Sequence, residues 1–188
     1  MKNLEEMSLQ ELWVLFPIVL VPPDSKWKSY YEEEAARLKS LLSSISIYRI
    51  SHIGSTAIGS ISAKPIIDIL LEVNDSQDLL VAENVITSAG YLEMHKSSTA
   101  IDFNRGYTPK GFAKKVFHLH LRLKGDNREL YFRDYLIDHP RIAKEYETLK
   151  LTLGKQYEHD RDAYTAAKTE FVDKCTVLGL KAYGDRYK

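Results

Sequence analysis

An α+β fold with a helical C-terminal part is what this sequence predicts, and three observations carry that reading. Residues 65–73 and 115–123 alternate apolar and polar side chains with the period of two that a strand imposes. Helical patterning separates these strands and takes over completely after Asn127. Strands and helices mixed first, with helices alone last, is the order of an α+β chain rather than of strict βαβ alternation. At 188 residues the length suits one domain with a helical appendage, and it allows a sizeable core.

The elements follow in order. Ser8 with Glu11 three residues on has capping-box spacing, so a short helix begins there and Pro17 ends it. Residues 18–21 read as a short extended piece, closed by Pro22, Pro23 and Asp24. A second helix carries Trp27, Tyr30, Tyr31, Leu38, Leu41 and Leu42 on one face, and Glu32, Glu33, Arg37 and Lys39 on its solvated side. A strand is expected over residues 45–53. Small residues 54–63 then connect it to the strand 65–73, where Pro65 fits the first position. In that strand Ile67, Ile69, Leu71 and Val73 form the core face, and Ile66, Asp68, Leu70 and Glu72 point the other way.

Asp75 or Ser76 caps a helix running to about Ala89, and Gly90 fits its stop. Two short extended pieces, residues 91–96 and 99–105, and a loop holding Gly106, Pro109 and Gly111 lead to the strand 115–123. There Phe117, Leu119, Leu121 and Leu123 face the core, while Val116, His118, His120 and Arg122 share the opposite face. After a turn at residues 125–127, helices are expected over 128–138, 141–158 and 160–179, with Pro140 as the first break. Residues 1–127 are thus the α+β core with its N-terminal helices. Residues 128–188 are a helical part packed on it in one structural unit.

Composition narrows the function classes. Lys plus Arg is 26 and Asp plus Glu is 26, so the net charge is zero. That excludes extended nucleic-acid binding as the main task, because such binding runs on phosphate neutralisation. The single cysteine, Cys175, cannot form an internal disulfide. It lies among Phe171, Val172, Val177 and Leu178 and reads as a buried spacer. The longest apolar run, residues 12–21, is broken by Pro17 and follows acidic residues. A membrane span needs about 20 residues, and a signal peptide a basic start. A soluble, cytoplasmic protein with no membrane partner is expected.

The segment from His52 to Val73 is the most informative for chemistry. A strand runs into Gly54, Ser55 and Thr56, where the backbone can turn tightly and its N–H groups can meet phosphate. Thirteen residues after Ser55 comes Asp68, and a carboxylate beside a phosphate cradle is how Mg²⁺ is held. The plainer reading is a turn of small residues and an exposed strand carboxylate. His118 and His120, two apart on a strand, place both rings on one face. Such a pair suits a transition metal, a phosphate ligand or acid–base work near neutral pH, or a hydrogen-bonded structural role. Arg105, Lys110, Lys114, Lys115, Arg122 and Lys124 lie in a stretch without an acid that can guide an anionic ligand, although residues 106–115 read as a solvated loop. Arg122 shares the histidine face and is the phosphate candidate among them. Tyr146, Tyr157 and Tyr164 read as interhelix packing.

The blocks GSTA, AKPIIDI, HLHL and FRDYLIDHP make the chain resemble the GrpB-like family of small bacterial proteins over about residues 27–171. That family is placed in the nucleotidyltransferase superfamily, and in some bacteria a similar domain is fused to dephospho-CoA kinase. The resemblance implies a nucleotidyltransferase-like mixed sheet with flanking helices and a C-terminal helical extension. It implies that Gly54 and Ser55, with Thr56 beside them, hold a triphosphate, and that Asp68 is the first acid of the metal pair. Lys64 and Lys168 match family positions that can meet the ligand, and Arg133 with Asp134 can pack back on the site. The chain departs from the superfamily pattern at the second acid, which falls on Leu70, and on the third strand, which supplies His118 and His120 instead of an acid.

Two functions follow from the resemblance. One is transfer of a nucleoside monophosphate from an NTP to a small acceptor, with Mg²⁺ on Asp68 (Mn²⁺ or Zn²⁺ being the other candidates), Lys64 and Arg122 on phosphates, and His118 or His120 as base. The other is a non-catalytic module that binds a nucleotide, a CoA-like compound or another small anion on the same scaffold. A metal hydrolase built on His118, His120 and Asp68 is a third reading. The two leading readings expect a small phosphorylated ligand.

Overall fold

The computed structural model describes residues 2–188. In chain order the elements are α1 (Leu9–Leu15), α2 (Lys26–Leu41), β1 (Ile47–Ile53), α3 (Gly54–Ile58), β2 (Ile67–Val73), α4 (Ser76–Ser88), β3 (Leu92–Lys96), β4 (Ala100–Thr108) and β5 (Gly111–Leu123). The helices α5 (Arg128–Asp138), α6 (Pro140–Gln156) and α7 (Arg161–Tyr183) complete the chain. The strands form one five-stranded mixed sheet in the order β1-β2-β5-β4-β3. Only β2 and β5 run parallel, and the other neighbours are antiparallel.

Local chemistry explains the boundaries. The Ser8 hydroxyl accepts from the Glu11 N–H, and the Glu11 carboxylate accepts from the Ser8 N–H, which satisfies two otherwise orphaned donors of α1. Phe16 caps α1 just before Pro17. Asp75 accepts from the N–H groups of Gln77 and Asp78 and starts α4. The extended piece before α2 pairs once, Val21 with Ala63.

One face of the sheet is a dry core. Ile67, Ile69 and Leu71 of β2 and Phe117, Leu119 and Leu121 of β5 pack against α2 and α4. Each such side chain contributes roughly 1.5–3 kcal/mol on burial, so this alternation sets the register of both strands.

The opposite face differs from the sequence reading. Leu70 and Glu72 are fully buried there. Leu70 packs with Ile53 and Leu130. The Glu72 carboxylate accepts from Arg49 at 2.7 Å, the Gly125 N–H at 2.8 Å and Asn127 Nδ2 at 3.1 Å. The helical part covers much of this face, so β2 is buried on both sides, as central parallel strands are.

The loop expected around Gly106–Gly111 is a hairpin, because Thr108 pairs with Gly111 and β5 begins at Gly111. Gly106, with φ 94°, sits at a register shift where a Cβ would meet the Lys115 carbonyl. A bulge glycine next to a proline turn imitates loop composition. Arg105 is no ligand guide: it binds Glu34 Oε1 and Oε2 at 2.7 Å, beside Tyr91.

In the helical part, Cys175 is buried with Ile58, Phe132, Leu136 and Tyr146. Among the described residues no helix is long and apolar enough to cross a membrane. At the α5–α7 contact, a Cβ on Gly179 would lie 2.9 Å from the Tyr131 carbonyl carbon. On an open helix surface Gly→Ala would stabilise by about 1 kcal/mol. Here the overpacking reverses the sign, so Gly179→Ala is expected to destabilise by about 1–3 kcal/mol. Urea denaturation checks this: the midpoint should fall with the slope unchanged.

Candidate functional site

Parallel pairing of β2 with β5 sets Asp68 opposite His118 and Leu70 opposite His120. Asp68, His118 and His120 therefore share one face, near the start of β2 and in the second half of β5. The Asp68 carboxylate lies 3.1 Å from His118 Nδ1 and 3.9 Å from His120 Nε2. From β4, Asp102 stands opposite His120 in register and reaches its Nδ1 at 2.9 Å. His118 Nε2 is 2.8 Å from Tyr107 Oη, and that oxygen accepts from Arg161 at 3.0 Å.

The donors run in one direction. Burial pushes the His118 pKa down past the lift from Asp68, which favours the neutral ring. The Asp68 carboxylate can only accept, so His118 Nδ1–H points to it, and Nε2 of the neutral ring accepts the Tyr107 proton while the Tyr107 oxygen accepts from Arg161. Burial also opposes charge on His120, but Asp102 and Asp68 outweigh it and raise its pKa to about 9. Burial pushes the Asp68 carboxyl up, and His118 and His120 overcome that and hold it far below the ordinary carboxylate range. Asp68 and Asp102 are therefore ionised around a charged His120.

A cavity of about 350 Å³ opens over this network, between the sheet and the helical part. Gly54, Ser55 and Thr56 line it from the start of α3. The Thr56 hydroxyl is already committed, donating to the Ile66 carbonyl at 3.1 Å and meeting His52 Nε2 at 2.9 Å. Gly54 has φ 70°, and a Cβ there would overlap the Asp68 carboxylate, so only glycine fits.

The other walls are cationic: Lys64 ahead of β2, Lys150 of α6, and Arg161 and Lys168 of α7. Their ammonium groups face tyrosine rings. Lys64 Nζ is 5.5 Å and Lys168 Nζ 4.7 Å from the Tyr164 ring, and Lys150 Nζ is 4.8 Å from Tyr146. Lys150 also donates to the Ser62 carbonyl at 2.6 Å. Burial, then the charges of Arg161 and Lys168, push Lys64 down to about 7. Burial, then Lys168, does the same to Lys150.

Two expected ligand contacts lie outside this cavity. Arg122 is buried, bound to Asp102 at 2.6 Å and to the carbonyls of Ile101 and Leu121. Arg133 is held by the His52 carbonyl at 2.9 Å, by Asp134 at 2.7 Å and by Tyr187 Oη at 3.0 Å. Sharing a strand face is not sharing a cavity: Arg122 sits about 7 Å further along β5 than His120. Sequence reasoning missed Lys150, Arg161, Asp102 and Tyr107. Lys150 left a trace, since it lies at helical spacing between the buried Tyr146 and Leu153 on an apolar face. Tyr146 and Tyr164 pack between helices as expected, and they line the cavity as well.

The residues do not fit the two-metal arrangement that the superfamily resemblance implies. That arrangement needs bridging carboxylates. Leu70 occupies one acid position, Glu72 is consumed by Arg49 and Asn127, and Asp68 is flanked by two histidines. Among the described residues no group of three or more His, Cys, Asp or Glu side chains has metal-holding geometry.

The family described as GrpB protein matches residues 17–177. The chain belongs to the GrpB family. It is 36% identical to the glutamate-rich protein GrpB of Alkalihalophilus pseudofirmus, over 84% of this chain and 92% of that one. It is 35% identical to the UPF0157 protein YqkA of Bacillus subtilis, covering 88% of this chain but 48% of that protein, so the GrpB chain spans about half its length. A dephospho-CoA kinase of Mycolicibacterium paratuberculosis is 27% identical over 81% of this chain and 43% of the kinase. Among solved structures, GrpB of Enterococcus faecalis superposes with a TM-score of 0.76 at 29% identity, covering 88% of this chain and 99% of that one. Cid1 in complex with ApU superposes with a TM-score of 0.50 at 11% identity, covering 76% of this chain and 43% of Cid1. That last likeness concerns the fold, which is nucleotidyltransferase-like.

The raised His120 gives a pH test. Its folded pKa of about 9 lies above the ordinary 6.5. The stability it contributes is fully present below about pH 6.5 and is lost as pH rises through about 9. Asp102→Asn is expected to destabilise the protein by the order of 2 kcal/mol at pH 6, and by less at pH 10. Urea midpoints of both proteins at the two pH values check it. An equal loss at both would mean that His120 is not held as an imidazolium.

Proposed function

We propose that this GrpB protein binds a small polyphosphorylated ligand in the cavity over Asp68, using protein cations in place of a metal ion. The observation that supports this most is the convergence of Lys64, Lys150, Lys168 and Arg161 on one space whose carboxylate, Asp68, already faces His118 and His120. Buried charges that lack a counter-ion are costly. A phosphate chain supplies negative charge and acceptor oxygens to all of them at once. Lys64, Lys150 and Lys168 act as point charges, Arg161 offers a fork of donors, and Gly54 lets the backbone come close. A nucleotide or a CoA-like compound has this chemistry, and the nucleotidyltransferase-like fold supports the choice.

Transfer of a nucleoside monophosphate is the second reading, and the likeness of fold to Cid1 favours it. It asks Asp68 to leave its histidine partners and take a metal ion without a second acid at position 70, so we rank it below binding.

Calorimetry and thermal shift with inorganic tripolyphosphate and with NTPs separate the two. Ligand at 100 times its Kd stabilises by about 2.7 kcal/mol. The same shift is expected in EDTA as in Mg²⁺, and Lys150→Ala should weaken binding at least tenfold. A shift that appears only with Mg²⁺ would overturn the metal-free mode. Binding also has a pH signature. In the free protein Lys64 and Lys150 lie at about 7, and a bound phosphate raises both toward the ordinary lysine value. Binding at pH 8 is therefore expected to take up protons, and affinity to fall as pH rises from 7 to 10. Titrations in buffers of different ionisation enthalpy count the protons; no uptake would mean that these lysines do not meet the ligand.

A further inference from the structure

A second cavity, of about 460 Å³, opens on the far side of Arg161. Its floor is the outer part of the sheet, where Leu92 and Met94 of β3 are 45% and 60% exposed. Its wall is the N-terminal segment, with Leu9, Trp13 and Phe16. Contiguous exposed apolar surface of this kind marks a place where something binds.

The groove and the cationic cavity share a partition. Arg161 lines both. Tyr107 lines the groove, while its hydroxyl is 2.8 Å from His118 Nε2 in the other cavity and accepts from Arg161 at 3.0 Å. The two spaces have opposite character. One is ringed by lysines, and the other is apolar with the exposed carboxylates Glu5, Glu93 and Asp162 around it. Those carboxylates repel a phosphate from the groove, whereas the lysines and Arg161 attract it to the other space. A molecule with one anionic and one apolar end is oriented by this pair of spaces.

We propose that the groove is the second half of the same ligand site and takes an aromatic group carried on the molecule whose phosphates lie among Lys64, Lys150 and Lys168. This rests on the anion-binding reading above. Trp13, Phe16 and Tyr107 offer ring faces and edges, and Met94 a polarisable sulfur. Asn104, also in the groove, carries a donor and an acceptor that can fix the polar atoms of a ring.

Tryptophan emission tests it directly, since Trp13 lines the groove while Trp27 is only 3% exposed in the core. The probes are ATP and inorganic tripolyphosphate, both in EDTA, which differ by the aromatic nucleoside. ATP is expected to bind at least tenfold more tightly and to quench emission, with Trp13→Phe removing the quench. Tripolyphosphate should bind and leave the emission unchanged. Met94→Asp, at an exposed position, should abolish the advantage of ATP and leave tripolyphosphate affinity as it was. Equal affinities with silent Trp13 would overturn the groove assignment and leave the anion cavity standing. Failure of tripolyphosphate to bind would overturn the anion reading and the groove with it. A wild-type dimer that Met94→Asp splits into monomers would make the groove an interface between copies, and would overturn the assignment as well.

Discussion

The parallel pairing of β2 with β5 is the constraint on which everything else rests. It is the one parallel pair in the sheet, and parallel strands require a long crossover. The crossover here is α4 followed by β3 and β4, which is why the chain builds an outer sheet before it returns to the centre. The same register that buries Ile67, Ile69 and Leu71 beside Phe117, Leu119 and Leu121 also places Asp68 beside His118. A slip of one residue would exchange core and site together. Fold and site are therefore specified by one set of pairings.

The electrostatics divide into a balanced part and an unbalanced part. Asp102, His120, Asp68, His118 and Tyr107 form a line of hydrogen bonds and ion contacts in which every proton has a direction. Next to it stand Lys64, Lys150 and Lys168, with tyrosine rings as their company. Cation–π contacts return only part of what burial removes from an ammonium group. A core selected for stability alone would not hold them this way. Proteins accept such a local penalty at sites of function, where consistency between levels of structure breaks down.

Most of the architecture was legible in the sequence because it rests on local rules. The capping box at Ser8, the alternation in β2 and β5, the Asp75 cap and the proline before α6 each act within a few residues. The hairpin at Gly106–Gly111 was hidden by a bulge whose glycine and proline-bearing turn have loop composition. The site was legible in part. Asp68, His118, His120, Lys64, Lys168 and the Gly54–Thr56 turn do come together. Arg122 and Arg133 do not, because their guanidinium groups are taken by Asp102, Asp134 and backbone carbonyls that no local pattern reveals. Lys150 and Arg161 arrive from helices far along the chain, and only the tertiary packing of α6 and α7 brings them to Asp68.

Leucine at position 70, where the superfamily resemblance implies an acid, is not a single missing ligand. Leu70 is sealed against Ile53 and Leu130, with Tyr187 packed on the same cluster. Tyr187 in turn binds Asp134 and Arg133. Where the superfamily pattern places a carboxylate open to metal, this chain places an apolar contact that docks α5 and the residues after α7 onto the sheet. A carboxylate there would be an unpaired buried charge within that contact. The chain end held by this contact follows α7, the helix that carries Arg161 and Lys168 to the cavity. Leucine at position 70 and the placement of Arg161 and Lys168 in the cavity wall are thus linked through one packing arrangement.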